Sequence, residues 1–351
     1  VRVLVTGGGG FVGGAIVDEL LARGHEVTSL SRSVYPELER KGVVCVRADL
    51  TEGASLGAAV RGHDAVIHSA ARAGIWGPRA DYWRTNVEGT RKVLAACLAE
   101  GVGRLVYTSS PSVCFDGGDH LRAGNDLPHA QRFLAPYPAS KAAAERSVLE
   151  VGEDDGLLTC ILRPHLVFGP GDPHLLPRLV ERARRGRLRI VGDGKNEVSL
   201  TYVENAAVAH VDAVERLEAG AAHVGRAYFV GQREPVRLWD WIAELLERLA
   251  IPPPRKRVSA PAARALGGFL EWTWRALRRR GEPPMTRFVA SQLATSHSYD
   301  MGPLERDLGY RERVDMATAL DRTVAWLSAG AREEIKAGDC PTGRVAGPRG
   351  R

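Results

Sequence analysis

The chain has 351 residues, 44% hydrophobic and 26% charged, with a formal net charge of +6. That length carries a full core and about two domains, and the balance excludes a disordered, collagen-like or disulfide-scaffold protein. No apolar run reaches the roughly 18 residues of a spanning helix. The positive charge suits phosphates, carboxylates or an anionic bilayer, but it is too small and too dispersed for a nucleic-acid binder.

Val1–Val5 is an apolar run that reads as a strand, followed by Thr6 and four glycines. Phe11 to Arg23 then carries apolar residues at helical spacing and stops at Gly24. Further strands are expected at His25–Leu30, Val43–Val46, Ala65–His68, Arg104–Thr108 and Leu158–Leu162, with helices near 54–61, 80–100 and 138–151 between most of them. Short apolar strands alternating with helices predict a parallel sheet with helices on both faces, an α/β class of Rossmann type. Beyond Pro164 the texture changes: a helix is expected near 175–186, the proline-rich stretch 251–262 reads as a loop, and the tail from about Ala337 reads as disordered. Five scattered cysteines without metal-ligand spacing point to a reduced, cytoplasmic protein with no metal site. No leader is expected, because the first residues enter a strand directly.

Thirty-nine glycines exceed the average share of about 7%, and the first turn shows what such residues are for. Gly7-x-x-Gly10-x-x-Gly13, between a strand and a helix, lets the main chain approach a pyrophosphate, and the N–H groups at the start of the helix face it. Phe11 and Val12 lie within this turn. An acidic residue at the end of the second strand would grip both ribose hydroxyls and select NAD. Here the sequence reads Ser31-Arg32-Ser33, and a guanidinium there would hold a 2′-phosphate, so NADP(H) is expected with Arg32 as its reader. Asp49-Leu50 follows the third strand, where a carboxylate can meet the adenine amino group.

Tyr137-Pro138-Ala139-Ser140-Lys141 places a phenol and an amine four residues apart, on one face of a helix. A neighbouring ammonium lowers a phenol's pKa and fits it to move a proton during hydride transfer. Thr108-Ser109-Ser110 ends a strand, where ligands sit in such sheets, and a hydroxyl there can orient a carbonyl.

Together with His68-x-Ala70-Ala71, Asn86-Val87-x-Gly89-Thr90 and Arg163-Pro164, these motifs resemble the extended short-chain dehydrogenase/reductases, over nearly the whole chain. The resemblance implies a Rossmann domain at 1–165, to which about 195–230 return. A smaller α/β substrate domain would span most of 166–335, with 336–351 as the tail. It implies Ser110, Tyr137 and Lys141 as the catalytic set, with Lys141 also holding the nicotinamide ribose and Tyr137 a cofactor contact. Ala70, Ala71 and Pro164 are implied as further cofactor contacts, and a homodimer is expected.

Segments such as Gly74-Ile75-Trp76-Gly77, Val191-Gly192-Asp193-Gly194 and Gly281-Glu282-Pro283-Pro284 are similar to the 3β-hydroxysteroid dehydrogenase-like branch. Within that branch the resemblance to reductases of bacterial long-chain olefin biosynthesis implies NADPH-dependent reduction of a 2-alkyl-3-oxo fatty acid to its 3-hydroxy acid. It also raises other enzymes of that pathway as partners. Trp76, His165, Arg178 and Arg72 are candidates for substrate contact. A 3β-hydroxysteroid or 4-carboxysterol dehydrogenase, an NAD-dependent sugar-nucleotide epimerase or dehydratase, and a non-catalytic nucleotide sensor remain open.

Residues 264–280 form an amphipathic basic helix. Leu266, Phe269, Leu270, Trp274 and Leu277 are expected on one side, and Arg264, Glu271, Arg275, Arg278 and Arg279 on the other. A core or pocket-lid helix is the favoured expectation, and peripheral contact with the inner membrane is the alternative.

Overall fold

The computed structural model describes residues 1–338, apart from the side chains of residues 53–54 and 331–338. Strands β1 (Arg2–Thr6), β2 (Glu26–Ser31), β3 (Val44–Arg47), β4 (Ala65–His68) and β5 (Arg104–Thr108) fall where apolar periodicity places them. With Leu158–Pro164 and Arg226–Val230 they form one seven-stranded sheet. Its order is Arg226–Val230, Leu158–Pro164, β5, β4, β1, β2, β3, and every pairing is parallel.

Alternation along β1 shows why helices cover both faces. Val3 and Val5 pack with Ile16, Val17 and Leu20 of helix α1 (Phe11–Ala22) and with Val208 and Val211 of the Val203–Glu215 helix. Leu4 points the other way, into a cluster with Val66, Val93, Leu105 and Val148. Strand order reverses between β1 and β4, which opens a crevice at their C-terminal ends.

The rest of the chain adds a four-stranded sheet of Val236–Arg237, Glu197–Val198, His297–Tyr299 and His120–Ala123, together with two short strand pairs. Its separate core includes Leu176, Leu200, Trp239, Trp241 and Leu245.

Three expectations are corrected. The 80–100 helix is not uniform: Trp83–Glu88 is a π-helical turn between α-helical Arg79–Tyr82 and Gly89–Ala99. The 251–262 loop is shorter than the prolines imply. Arg257–Val258 pairs as a strand with Ile190–Val191, and Ser259 caps a helix at Ala260–Ala276, with Pro261 in its first turn, where a missing N–H costs nothing. The last helix, Met316–Gly338, continues through 336–338, which the sequence reads as tail; residues 339–351 lie outside the described residues. Among the described residues no helix is long and apolar enough to cross a membrane.

Candidate active site

A cavity of about 730 Å³ opens at the crevice. At its base lies the glycine turn, with Gly7, Gly10, Phe11, Val12 and Gly13 on its wall. A Cβ on Gly13 would sit 2.1 Å from the Gly7 carbonyl oxygen, so no other residue fits that approach. Gly10 caps α1 without a side-chain bond, leaving the first N–H groups free to face an anion.

Arg32, Asp49 and Leu50 line one end of the cavity, and Ala70 and Ala71 line its middle. The Thr51 N–H bonds Asp49 at 2.8 Å and, with Arg32 and Arg84 nearby, holds its carboxyl below the usual range. The sequence reading missed Arg84. It comes from the π-helical turn, some 50 residues beyond Arg32, yet lines the same end. A cradle only glycine can form, a free helix N-terminus and cations at the far end fit a nicotinamide dinucleotide.

At the other end Ser110, Tyr137, Lys141 and Pro164 share the cavity wall. The Pro136–Leu149 helix carries the phenol and the amine. Asn86 ties this helix in place. Its amide donates to Ser140 Oγ at 2.9 Å and to the Arg72 carbonyl at 3.2 Å, and accepts from the Arg72 N–H at 2.7 Å. Lys141 is buried, donates to the Thr108 carbonyl at 2.6 Å and lies 4.2 Å from the centre of the Tyr107 ring. Burial lowers its ammonium to about 7, opposed by the charge of Glu145. Burial also pushes the Tyr137 phenol up to about 12, against the pull of the neighbouring Ser110 hydroxyl. The expected lowering of the phenol by the ammonium is not found, and desolvation dominates its pKa. A neutral phenol is the form that can give a proton.

Glu145, one turn beyond Lys141, is a second residue the sequence reading missed. It is fully buried and accepts from Ser109 Oγ and from Arg163 Nη2; His129 Nε2 lies 2.8 Å away. Burial works to raise its carboxyl, but hydrogen bonds from His129 and the charge of Arg163 outweigh it and hold it at about 2. Because Ser109 is committed to Glu145, Ser110 is the serine left beside the phenol.

The substrate candidates scatter. His165 is 6% exposed and does not line the cavity. Its Nε2 lies 2.6 Å from His297 Nδ1, and burial holds the ring well below its ordinary pKa. Its ring is taken up by His297, away from the cavity wall, so the structure does not bring it to the candidate site. Arg178 is exposed and paired with Glu282 at 2.6 Å, and Arg72 lies 3.5 Å from Asp81. Neither they nor Trp76 line the cavity. Trp76 sits on the loop after β4, where its carbonyl accepts from the Tyr82 hydroxyl at 3.1 Å and the Arg275 guanidinium covers its ring at 4.8 Å. Next to Tyr137, Ala135 packs with Phe115 and Phe288, and half-buried Ile75, Leu134 and Val289 join them.

Fold and site together define a nicotinamide-dependent oxidoreductase of the short-chain type. The pattern of the 3-beta hydroxysteroid dehydrogenase/isomerase family matches residues 4–259, and the chain belongs to that family. It is 47% identical over 330 residues to the 2-alkyl-3-oxoalkanoate reductase of Stenotrophomonas maltophilia (strain K279a), covering 93% of this chain and all of the relative. It is 42% identical over 333 residues to the protein of the same name from Shewanella oneidensis, covering 93% of this chain and 86% of the relative. Among solved structures it is similar to MoeE5 in complex with UDP-glucose and NAD, with a TM-score of 0.71 and 26% identity over 94% of this chain and all of that one.

Proposed function

We propose that the protein reduces the 3-oxo group of a 2-alkyl-3-oxoalkanoate to the 3-hydroxy acid, with NADPH as the preferred coenzyme. One observation carries the chemistry: Ser110, Tyr137 and Lys141 share a single cavity with the glycine turn. The apolar cluster of Phe115, Phe288, Ile75 and Leu134 beside Tyr137 supports a substrate with alkyl chains, and the names of the relatives supply its class.

A bound dinucleotide supplies hydride. This chain's residues do the rest. Ser110 donates to the substrate carbonyl oxygen and holds it beside the phenol. Tyr137 gives its proton to that oxygen as negative charge develops there. Lys141, when charged, stabilises the phenolate left behind, and Glu145 keeps the lysine charged to higher pH than burial alone would allow. Arg32 and Arg84 at the far end of the cavity support NADPH, because two guanidinium groups there favour a 2′-phosphate.

The test is NADPH consumption with a racemic 2-alkyl-3-oxo acid, beside a steroid ketone and a UDP-sugar, with the product identified by mass. Turnover of the oxo acid, faster with NADPH than with NADH, is expected. Turnover of the steroid or the sugar nucleotide alone would overturn the reading.

A further inference from the structure

The Ala260–Ala276 helix is attached to the protein by a narrow face of its own. Ala263, Gly267 and Glu271, spaced four apart, are its buried residues. A Cβ on Gly267 would lie 2.6 Å from the Thr286 carbonyl carbon, so the helix rests directly on backbone. Glu271 locks it there, accepting the Arg287 N–H at 2.8 Å and Nε at 3.0 Å. The sequence reading placed Glu271 on the polar, outward side with the arginines; the structure turns Glu271 inward, while Arg275, Arg278 and Arg279 stay exposed.

Four large apolar residues here point outward, while Leu270 and Trp274 are half-buried. Leu266 is 50% exposed, Phe269 61%, Trp272 65% and Leu277 60%. Scattered exposed leucines are ordinary, but a row at three-residue spacing along one helix marks a docking face. Arg278, Arg279 and Arg280 follow at once, all exposed, with no ion pair among the described residues. We propose that the Leu266–Phe269–Trp272 face, with the Arg278–Arg280 run, seats the enzyme on an anionic phospholipid surface.

The charge pattern selects that occupant. The exposed side of residues 261–280 carries arginines and no carboxylate, since Glu271 is turned inward. A second copy docking there would bring the same basic, acid-free surface to the interface and neutralise nothing. An anionic headgroup layer neutralises the arginines, while the aromatic row enters the acyl boundary. The same helix lies against the elements that carry the apolar cluster beside Tyr137. Arg264 donates to the Gly117 carbonyl and to Ser291 Oγ, and Arg275 covers Trp76. A docked enzyme thus holds that apolar cluster near the surface where long-chain acids partition. This purpose rests on the reductase reading, whereas the docking itself does not.

Co-sedimentation of the full chain with phosphatidylcholine vesicles, and with vesicles also containing phosphatidylglycerol, is the test. The protein is expected to pellet with the anionic vesicles and to be released by salt. Phe269→Ser/Trp272→Ser should weaken partitioning about tenfold or more. Each Arg→Gln change at 278, 279 or 280 should weaken it about fivefold. Melting temperature and reduction of a short, soluble ketone should be unchanged in these variants, which shows that they fold. A wild-type protein that stays in the supernatant overturns the proposal. So does a double variant that pellets like the wild type, or one whose sedimentation velocity shows the loss of a second copy.

Discussion

Glu145→Gln removes the carboxylate to which Arg163 and Ser109 donate and that faces Lys141 across one helical turn. Holding this carboxyl at about 2, down from its ordinary value near 4.5, corresponds to about 3 kcal/mol of stability at neutral pH. The fold depresses this pKa, so the contribution is full above about 4.5 and is lost as pH falls towards 2. Gln keeps the shape but leaves the Arg163 guanidinium, only 4% exposed, without a counter-charge. Breaking such a buried pair costs about 3–5 kcal/mol, so the melting midpoint should fall by about 5 °C. Arg163→Met should cost a similar amount. The double variant should cost clearly less than the sum, with a coupling of about 2 kcal/mol, because it leaves no orphaned charge. Lys141 also loses the charge that opposes its desolvation, so the pH above which reduction declines should move down in Glu145→Gln. Thermal melts of the four proteins and pH–rate profiles of the single variant measure both effects. Additive destabilisation, or an unmoved pH profile, would refute the reasoning.

Arg32→Ala should raise the KM for NADPH about tenfold or more while leaving that for NADH nearly unchanged, as steady-state kinetics with both coenzymes would show. Gly13→Ala drives a methyl into the Gly7 carbonyl and should abolish measurable NADPH binding in a fluorescence titration. His165→Leu removes an interior ring paired with His297 and should leave the KM for the oxo acid within about twofold, because the ring does not line the cavity.

The parts of the site that the sequence displayed are those built from short-range spacing. The glycine turn is contained in seven residues, and the Tyr137–Lys141 pair in one helical turn, so chain order alone sets their geometry. What lay hidden depends on tertiary packing. Glu145 continues the spacing of Tyr137 and Lys141, but only the approach of Arg163 and His129 makes a buried carboxylate there stable. Arg84 reaches the cofactor end through a π-helical turn that no propensity pattern marks. The stripe at 266–277 is visible as periodicity, yet periodicity does not say which side is covered. The small residues Ala263 and Gly267 decide that, by letting one backbone lie on another. His165 follows the Arg163-Pro164 motif at a strand end, where a ligand contact is a fair expectation, but the second sheet closes over it through His297.

Reduction depends most on Tyr137 as the proton donor. Its direct test is a single-turnover experiment with Tyr137→Phe saturated with NADPH and mixed with a 2-alkyl-3-oxo acid. Hydride transfer should slow by about a thousandfold while the Kd for NADPH stays within about twofold of the wild-type value. Transfer at a rate near that of the wild type would contradict it.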